Sequence, residues 1–143
     1  RIVDEYFNFE EMARRSLGRP WKDQSLDNQR KFVDLFKQLL FTVYVSRVEA
    51  IAAPDTRVVC DKEELEGDYA FVETRVISQK YPEFPISYRL RLENGEWKAY
   101  DVVIEGISLV NNYRQQFSSI LNSATFEDLL KQLRSKVAEQ QGA

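Results

Sequence analysis

Apolar residues change their spacing twice along this chain. Before Pro54 they recur at steps of three and four. Between Arg57 and Glu105 they recur at every second position, and after Gly106 the steps of three and four return. Side chains three or four apart share a helix face, whereas side chains two apart share a strand face. The chain therefore reads as helices, then strands, then helices. Elements segregated in this way make an α+β domain rather than an alternating α/β one. The simplest architecture is an antiparallel sheet of about four strands with one face covered by helices.

The helical segments carry their own start and stop signals. "FNFEEMARRSLG" is a short helix with Asn8 as N-cap, Glu10 and Glu11 in the first turn, and Gly18 at its end. The stretch from Ser25 to Ala53 is one long helix, capped by Ser25 and ended by Pro54 and Asp55. Phe32, Leu35, Phe36, Leu39, Leu40, Val43 and Val48 form its apolar stripe. "LVNNYRQQFSSILNSA" and "TFEDLLKQLRSKVAEQ" are the closing helices. Thr125 and Asp128 are placed as a capping box for the second of these, and the tail "QQGA" is expected to fray.

The strands are "RVVCD", "DYAFVETRVIS", "ISYRLRLE" and "EWKAYDVVIE", the last two joined through Asn94-Gly95, the strongest hairpin signal in the chain. Parity sorts their faces. Ala70, Val72, Thr74 and Val76 share one face of the second strand. Ile86, Tyr88, Leu90 and Leu92 share the inward face of the third. Tyr100, Val102 and Ile104 share that of the fourth, with Lys98 continuing it at the edge and Asp101 opposite. A packed core with large residues set against small ones explains this pattern, and so does an unfilled apolar space; parity leaves both open.

Composition removes several functions. The chain has 143 residues, a single-domain length, and a net charge of −3, with none of the basic excess of a nucleic-acid binder. It has no histidine and a single cysteine, Cys60, which reads as a small buried hydrophobe in a strand. The commonest general base, the commonest metal ligand and a thiolate metal site are thus all missing. The dense acidic run "DKEELEGD" does not have the spacing of a calcium loop and reads as a solvated hairpin tip. No apolar run is long enough to cross a membrane. We expect no catalytic residues, no metal and no cofactor.

"FNFEEMARRSLGRPW", "KFVDLFKQLLFTVY" and above all "WKAYDVVIEGISLVNNYRQQF" resemble the MlaC, or toluene-tolerance, family of periplasmic phospholipid-binding proteins, from about Phe7 to Leu133. The family usually has Asp-Phe where this chain has Asn8-Phe9. It also carries further helices before that point, so the expectation is one lipid-carrier domain over residues 1–143 that lacks those helices and a signal peptide. The resemblance implies a periplasmic, Gram-negative, non-enzymatic shuttle, the auxiliary component of an ABC transporter, that maintains outer-membrane lipid asymmetry. Its implied partners are a phospholipid, an outer-membrane lipoprotein–porin complex, and an inner-membrane ABC transporter with an MCE-domain ring. Contact with those membrane complexes would be transient, the chain would be a monomer, and no nucleic acid would be bound. Some relatives are linked to hopanoids, so a hopanoid or other lipid carrier is the alternative within the family.

Physical chemistry is consistent with such a task. Each acyl methylene kept from water is worth about 0.8 kcal/mol, so two tails of roughly thirty methylenes cost on the order of 20 kcal/mol to expose. A carrier needs a dry, shape-tolerant cavity with few directional groups. Helical stripe and strand parity together nominate Phe36, Leu39, Leu40, Val43, Val72, Val76, Tyr88, Leu90, Tyr100, Val102, Ile104, Leu109, Tyr113 and Phe117 as its lining. From Gly106, where positive φ suits the reversal, Ile107 and Leu109 would carry the apolar surface from sheet to helix without a gap. Asp101 and Arg114 read as structural charges, with a phosphate contact at the cavity mouth as the sharper alternative. Two other classes compete. One is an enzyme on a cone-shaped scaffold of the nuclear-transport-factor-like kind, using Asp101 with Tyr88 or Tyr100. The other is a module that recognises only a protein partner.

Overall fold

A computed structural model of the chain describes residues 6–141, with side chains described through Glu139. The opening "RIVDE" and the last two residues of the "QQGA" tail lie outside the described residues. Helix α1 is Phe9–Leu17, followed by a 3-10 turn at Arg19–Asp23; α2 is Leu26–Val43 and α3 is Val45–Ala52. Five strands follow: β1 Arg57–Glu66, β2 Tyr69–Ile77, β3 Phe84–Glu93, β4 Glu96–Ile104 and β5 Ile107–Ser108. Helices α4, Leu109–Leu121, and α5, Phe126–Gln141, close the chain. The fold is α+β with an open antiparallel sheet in the order β1-β2-β3-β4-β5. Its fifth strand is the two-residue β5, too short to leave a period in the sequence.

The described residues divide into two compact units. One comprises 6–9 and 46–109, the other 10–45 and 110–141. The first is the sheet with α3. The second is helical, and its core is aromatic. Phe32 and Phe36 stack at 6.0 Å, and both meet Phe117 edge-on, at 5.4 and 6.2 Å. Phe126 at the start of α5 comes within 6.1 Å of Phe32, which ties α5 to α2. Offset and edge-on ring pairs of this kind add about 0.5–1.5 kcal/mol beyond the area they bury. The capping signals in this unit form as the residue types require. Ser25 Oγ accepts from the Asn28 N–H at 3.1 Å, and Thr125 and Asp128 cap each other's backbone N–H reciprocally at 3.1 Å.

One expected helix is two. The helical run stops at Tyr44, whose φ of −106° and ψ of 28° leave the helical region, and resumes at Val45. No proline or glycine causes the break. Thr42, Val43, Tyr44 and Val45 are β-branched or aromatic and lose rotamer freedom in a helix. Thr42 also turns its hydroxyl back onto the Gln38 carbonyl at 2.7 Å, a bond that bends helices. The first strand also differs from expectation. The acidic run is solvated throughout, but only its last two residues, Gly67-Asp68, form the hairpin turn; the first six are the second half of β1. β1 is an edge strand, so its charged side chains stay in water and guard an open ladder. Cys60, expected to be buried, is exposed on that edge.

Two features of the helical unit are open to direct test. Gly18 ends α1 at φ +78° and ψ −142°, a region that only glycine occupies readily, with the Arg114 guanidinium packed over it. Arg114 therefore lies beside the α1 terminus, where a cation complements the helix dipole. Gly18→Ala should cost about 1–3 kcal/mol in urea unfolding through the backbone term alone. Within α1, buried Glu11 accepts from Arg14 at 3.0 Å and from Arg15 at 2.7 Å. Burial pushes its carboxyl up, but the two guanidinium groups outweigh burial and hold it below the ordinary glutamate range. A carboxyl depressed on folding stabilises above its unfolded value, and that stabilisation is lost as pH falls through the folded one. Stability should therefore drop as pH falls below about 4, and Glu11→Gln should flatten that part of the profile in thermal melts.

Candidate functional site

The sheet assembles its faces by register. Val72 pairs with Tyr88, and Tyr88 with Val102. Thr74, Ile86 and Ile104 form a second row across the strands, and Val76 pairs with Phe84. Ala70, Leu90 and Ala99 form another row. Directly opposed residues project to the same side, so these rows make one continuous apolar face over β2, β3 and β4. Six residues nominated from the sequence share it: Val72, Val76, Tyr88, Leu90, Val102 and Ile104. Val76, Val102 and Ile104 are buried, while Val72, Tyr88 and Leu90 are half-buried. The face is nearly free of polar groups. Thr74 gives its hydroxyl to the Ile86 carbonyl at 2.6 Å, so that donor is spent locally. Burial pushes the Tyr88 phenol up, keeping it neutral, and its ring meets Phe7 at 6.1 Å.

Tyr100 does not join this face. The β3–β4 register shifts by one: Arg89 pairs with Asp101 and Leu90 with Ala99, leaving Tyr100 as the extra residue of a bulge. Beyond the bulge parity inverts, so Ala99 takes the inward position given above to Tyr100, and Lys98 pairs with Arg91 on the other face. The Tyr100 ring instead meets Tyr69 edge-on at 6.1 Å, and Tyr69 pairs with Arg91 on that outer face. Ala99, Phe84 and Ile86 were not among the nominated residues. A signal for Ala99 was present: the apolar positions run Trp97, Ala99, then Val102, Ile104, a jump from odd to even within one strand.

The bulge also sets Asp101. Its side chain is on the face opposite Val102, as parity requires, yet the residue is only 5% exposed. Asp101 Oδ2 accepts from the Ser108 hydroxyl at 2.5 Å, and Oδ1 from the Val102 N–H at 2.8 Å. The Arg89 guanidinium lies 3.6 Å from Oδ2 and stacks over Phe71 at 5.0 Å. Asp101 thus fastens β5 to β4 immediately before α4 begins. The reversal itself is a two-residue turn, Glu105 at φ +51° and Gly106 at φ +85°. This positive-φ pair matches the twist of a tight hairpin, and glycine takes its half without strain. Ile107 is 58% exposed, so the apolar surface does not run unbroken through it; burial resumes at Leu109.

The other nominated residues lie elsewhere. Phe36, Leu39, Leu40, Tyr113 and Phe117 are buried in the helical unit. Phe36 and Tyr113 meet edge-on at 5.7 Å, and Tyr113 stacks on Phe117 at 5.6 Å. Burial pushes the Tyr113 phenol well up, and the charge of Tyr44 and a hydrogen bond to it push the same way. Val43 sits at the exposed end of α2, and Leu109 opens α4 in the sheet unit.

The register thus assembles an apolar sheet face on which the Thr74 hydroxyl is bonded within the sheet. A family model described as MlaC protein covers residues 1–135. The chain belongs to the MlaC family. Among curated relatives, the intermembrane phospholipid transport system binding protein MlaC of Haemophilus influenzae is 27% identical over 139 residues. That match takes in 94% of this chain and 64% of the relative, so the chain spans just under two-thirds of that protein's length. Among solved structures, the phospholipid-binding protein from Ralstonia solanacearum in complex with a phospholipid superposes with a TM-score of 0.85 at 22% identity. The superposition covers 97% of this chain and 78% of that one, and it establishes a shared fold.

Removing the Asp101 anchor tests this account of the strand-to-helix join. Asp101→Ala removes the buried carboxylate that accepts from the Ser108 hydroxyl and the Val102 N–H and should cost about 1–3 kcal/mol in urea unfolding. Ser108→Ala should cost less, because Asp101 keeps its other partners.

Proposed function

We propose that this MlaC-family chain is a phospholipid-binding carrier, and that the apolar face of β2, β3 and β4 receives the acyl chains. The observation that carries the reading is the half-buried stretch Val72, Tyr88 and Leu90. It is apolar surface left partly open, on a face whose hydroxyls are either consumed or held neutral. Acyl chains offer no hydrogen bonds and many conformers, so a surface that is apolar and undirected suits them. Phe84, Ile86 and Ala99 extend the proposed lining, and Tyr100 leaves it. Phe36, Leu39, Leu40, Val43, Leu109, Tyr113 and Phe117 are proposed as further apolar support, their rings largely committed to one another.

In this reading the chain works as one lipid-carrier domain in the periplasm of a Gram-negative cell, in an intermembrane phospholipid transport system that maintains outer-membrane asymmetry. It binds as a monomer and passes lipid between an outer-membrane lipoprotein–porin complex and an inner-membrane ABC transporter with an MCE-domain ring. It acts without catalysis. The competing enzyme reading needs a carboxylate aimed into the apolar site with a raised pKa. Asp101 is the candidate, and it points to the other face with both oxygens hydrogen-bonded.

The test is phospholipid bound per folded protein, measured by mass spectrometry of organic extracts with circular dichroism as the folding check. Val72→Asp places an uncompensated charge on the proposed face and should reduce bound phospholipid at least severalfold. Ser87→Asp carries the same charge on the opposite face of the neighbouring strand and should retain it. Equal retention in both, or no lipid in the unsubstituted protein, would rule out this face as the site.

A further inference from the structure

Helix α3 is weakly held to the sheet unit that contains most of it. It has eight residues, Ala50 alone is buried, and Val45 and Ile51 leave large parts of their side chains exposed. Segments with so little buried apolar contact open locally well below the global unfolding free energy. Two side chains restrain it. Thr56, just past its end, gives its hydroxyl to the Ala50 carbonyl. Arg47 reaches across to the sheet, where its Nη2 donates to Glu105 Oε2 at 2.7 Å and its guanidinium lies 4.9 Å from the Phe84 ring centroid. Phe84 belongs to the apolar face, paired with Val76.

The restraint is weak by construction. Both Arg47 and Glu105 are substantially exposed, at 34% and 52%, and an ion pair so placed is screened by water. Arg47 Nε is buried and finds no acceptor among the described residues, which taxes the closed arrangement. Glu105, at the other end of the contact, lies in the exposed turn between β4 and β5.

We propose that α3 is a flap over the Phe84–Val76 end of the apolar face. Arg47 is the positioning residue whose paired contacts with Glu105 and Phe84 set how readily the flap lifts to admit or release an acyl chain. The nature of the occupant rests on the carrier reading above; the opening of α3 does not. Because the latch is electrostatic on one side and cation–π on the other, it loosens without disturbing the sheet register.

Hydrogen exchange of the lipid-free protein, read amide by amide, and phospholipid transfer between vesicles of phosphatidylethanolamine and phosphatidylglycerol test the proposal together. Arg47→Ala and Glu105→Gln should each accelerate exchange of the α3 amides by roughly threefold to tenfold, with β2 and β3 amides unchanged. Each should also speed phospholipid transfer. Arg47→Lys keeps the charge but loses the planar stack and should fall between them and the unsubstituted protein. The double exchange Arg47→Glu with Glu105→Arg should recover part of the slow exchange. Unchanged α3 amides, or acceleration spread equally over the sheet, would overturn the flap even if the protein holds lipid. Faster α3 exchange in a protein that transfers no phospholipid would instead overturn the acyl-chain role and the carrier reading with it.

Discussion

Asp101 accepts the Ser108 hydroxyl and the Val102 N–H from a buried position on the outer face of the sheet. Beside it in β4, Tyr100 is the extra residue of the β3–β4 bulge. A bulge bends its strand and re-aims the side chains on either side of it. Here it brings Ala99 and Val102 onto one face although they are three residues apart, and it sends the Tyr100 ring to Tyr69 on the other. Without it, the face would carry Tyr100 and Lys98 in place of Ala99 and Trp97. A lysine there would bring a charge onto the surface proposed to meet acyl chains. The composition of the apolar face is a consequence of that bulge residue.

The two compact units use aromatic residues in opposite ways. In the helical unit, Phe32, Phe36, Tyr113 and Phe117 meet one another, so their rings are consumed in a core whose job is stability. In the sheet unit, Tyr88 has Phe7 as a ring neighbour and remains half-buried, while Phe71 and Phe84 lie under Arg89 and Arg47. The sheet face is otherwise aliphatic, with Val72, Val76, Ile86, Leu90, Val102 and Ile104 side by side. The tyrosine phenols fit this division. Burial pushes both the Tyr88 and the Tyr113 phenol above the ordinary tyrosine range, so each ionises less readily than a free phenol.

What could be read from the sequence follows from how regular each segment is. The helices at both ends were legible because Ser25, Thr125 and Asp128 cap as their chemistry dictates. The Asn94-Gly95 turn was legible because both residues take positive φ, at 51° and 81°. Tyr44 was not, because a helix broken by a β-branched run leaves no proline or glycine as a mark. Tyr100 was not, because tyrosine is a good strand residue and completes a convincing alternation with Val102 and Ile104; only the phase jump after Ala99 betrays it. β1 was read short because charged residues are unusual in strands, and an edge is where they are tolerated. On the sheet face, residues within one unbroken register were placed correctly and the one beside the bulge was not.

The same reasoning separates the two roles that a carboxylate on this fold might have been given. General acid–base work needs a group whose proton can leave and return, which requires at least one uncommitted oxygen near the reacting atom. Asp101 has both oxygens engaged and a guanidinium 3.6 Å away, on the side of the sheet turned from the apolar rows. Its burial is therefore an expense of architecture, met by the hydrogen bonds it accepts. Glu105 is the opposite case: exposed, in a tight turn, and bound to an arginine whose guanidinium lies over Phe84 of the apolar face. A buried carboxylate with several partners fixes a join, whereas an exposed carboxylate with one partner makes a contact that water screens. The chain places the first where strand becomes helix and the second between α3 and the β4–β5 turn.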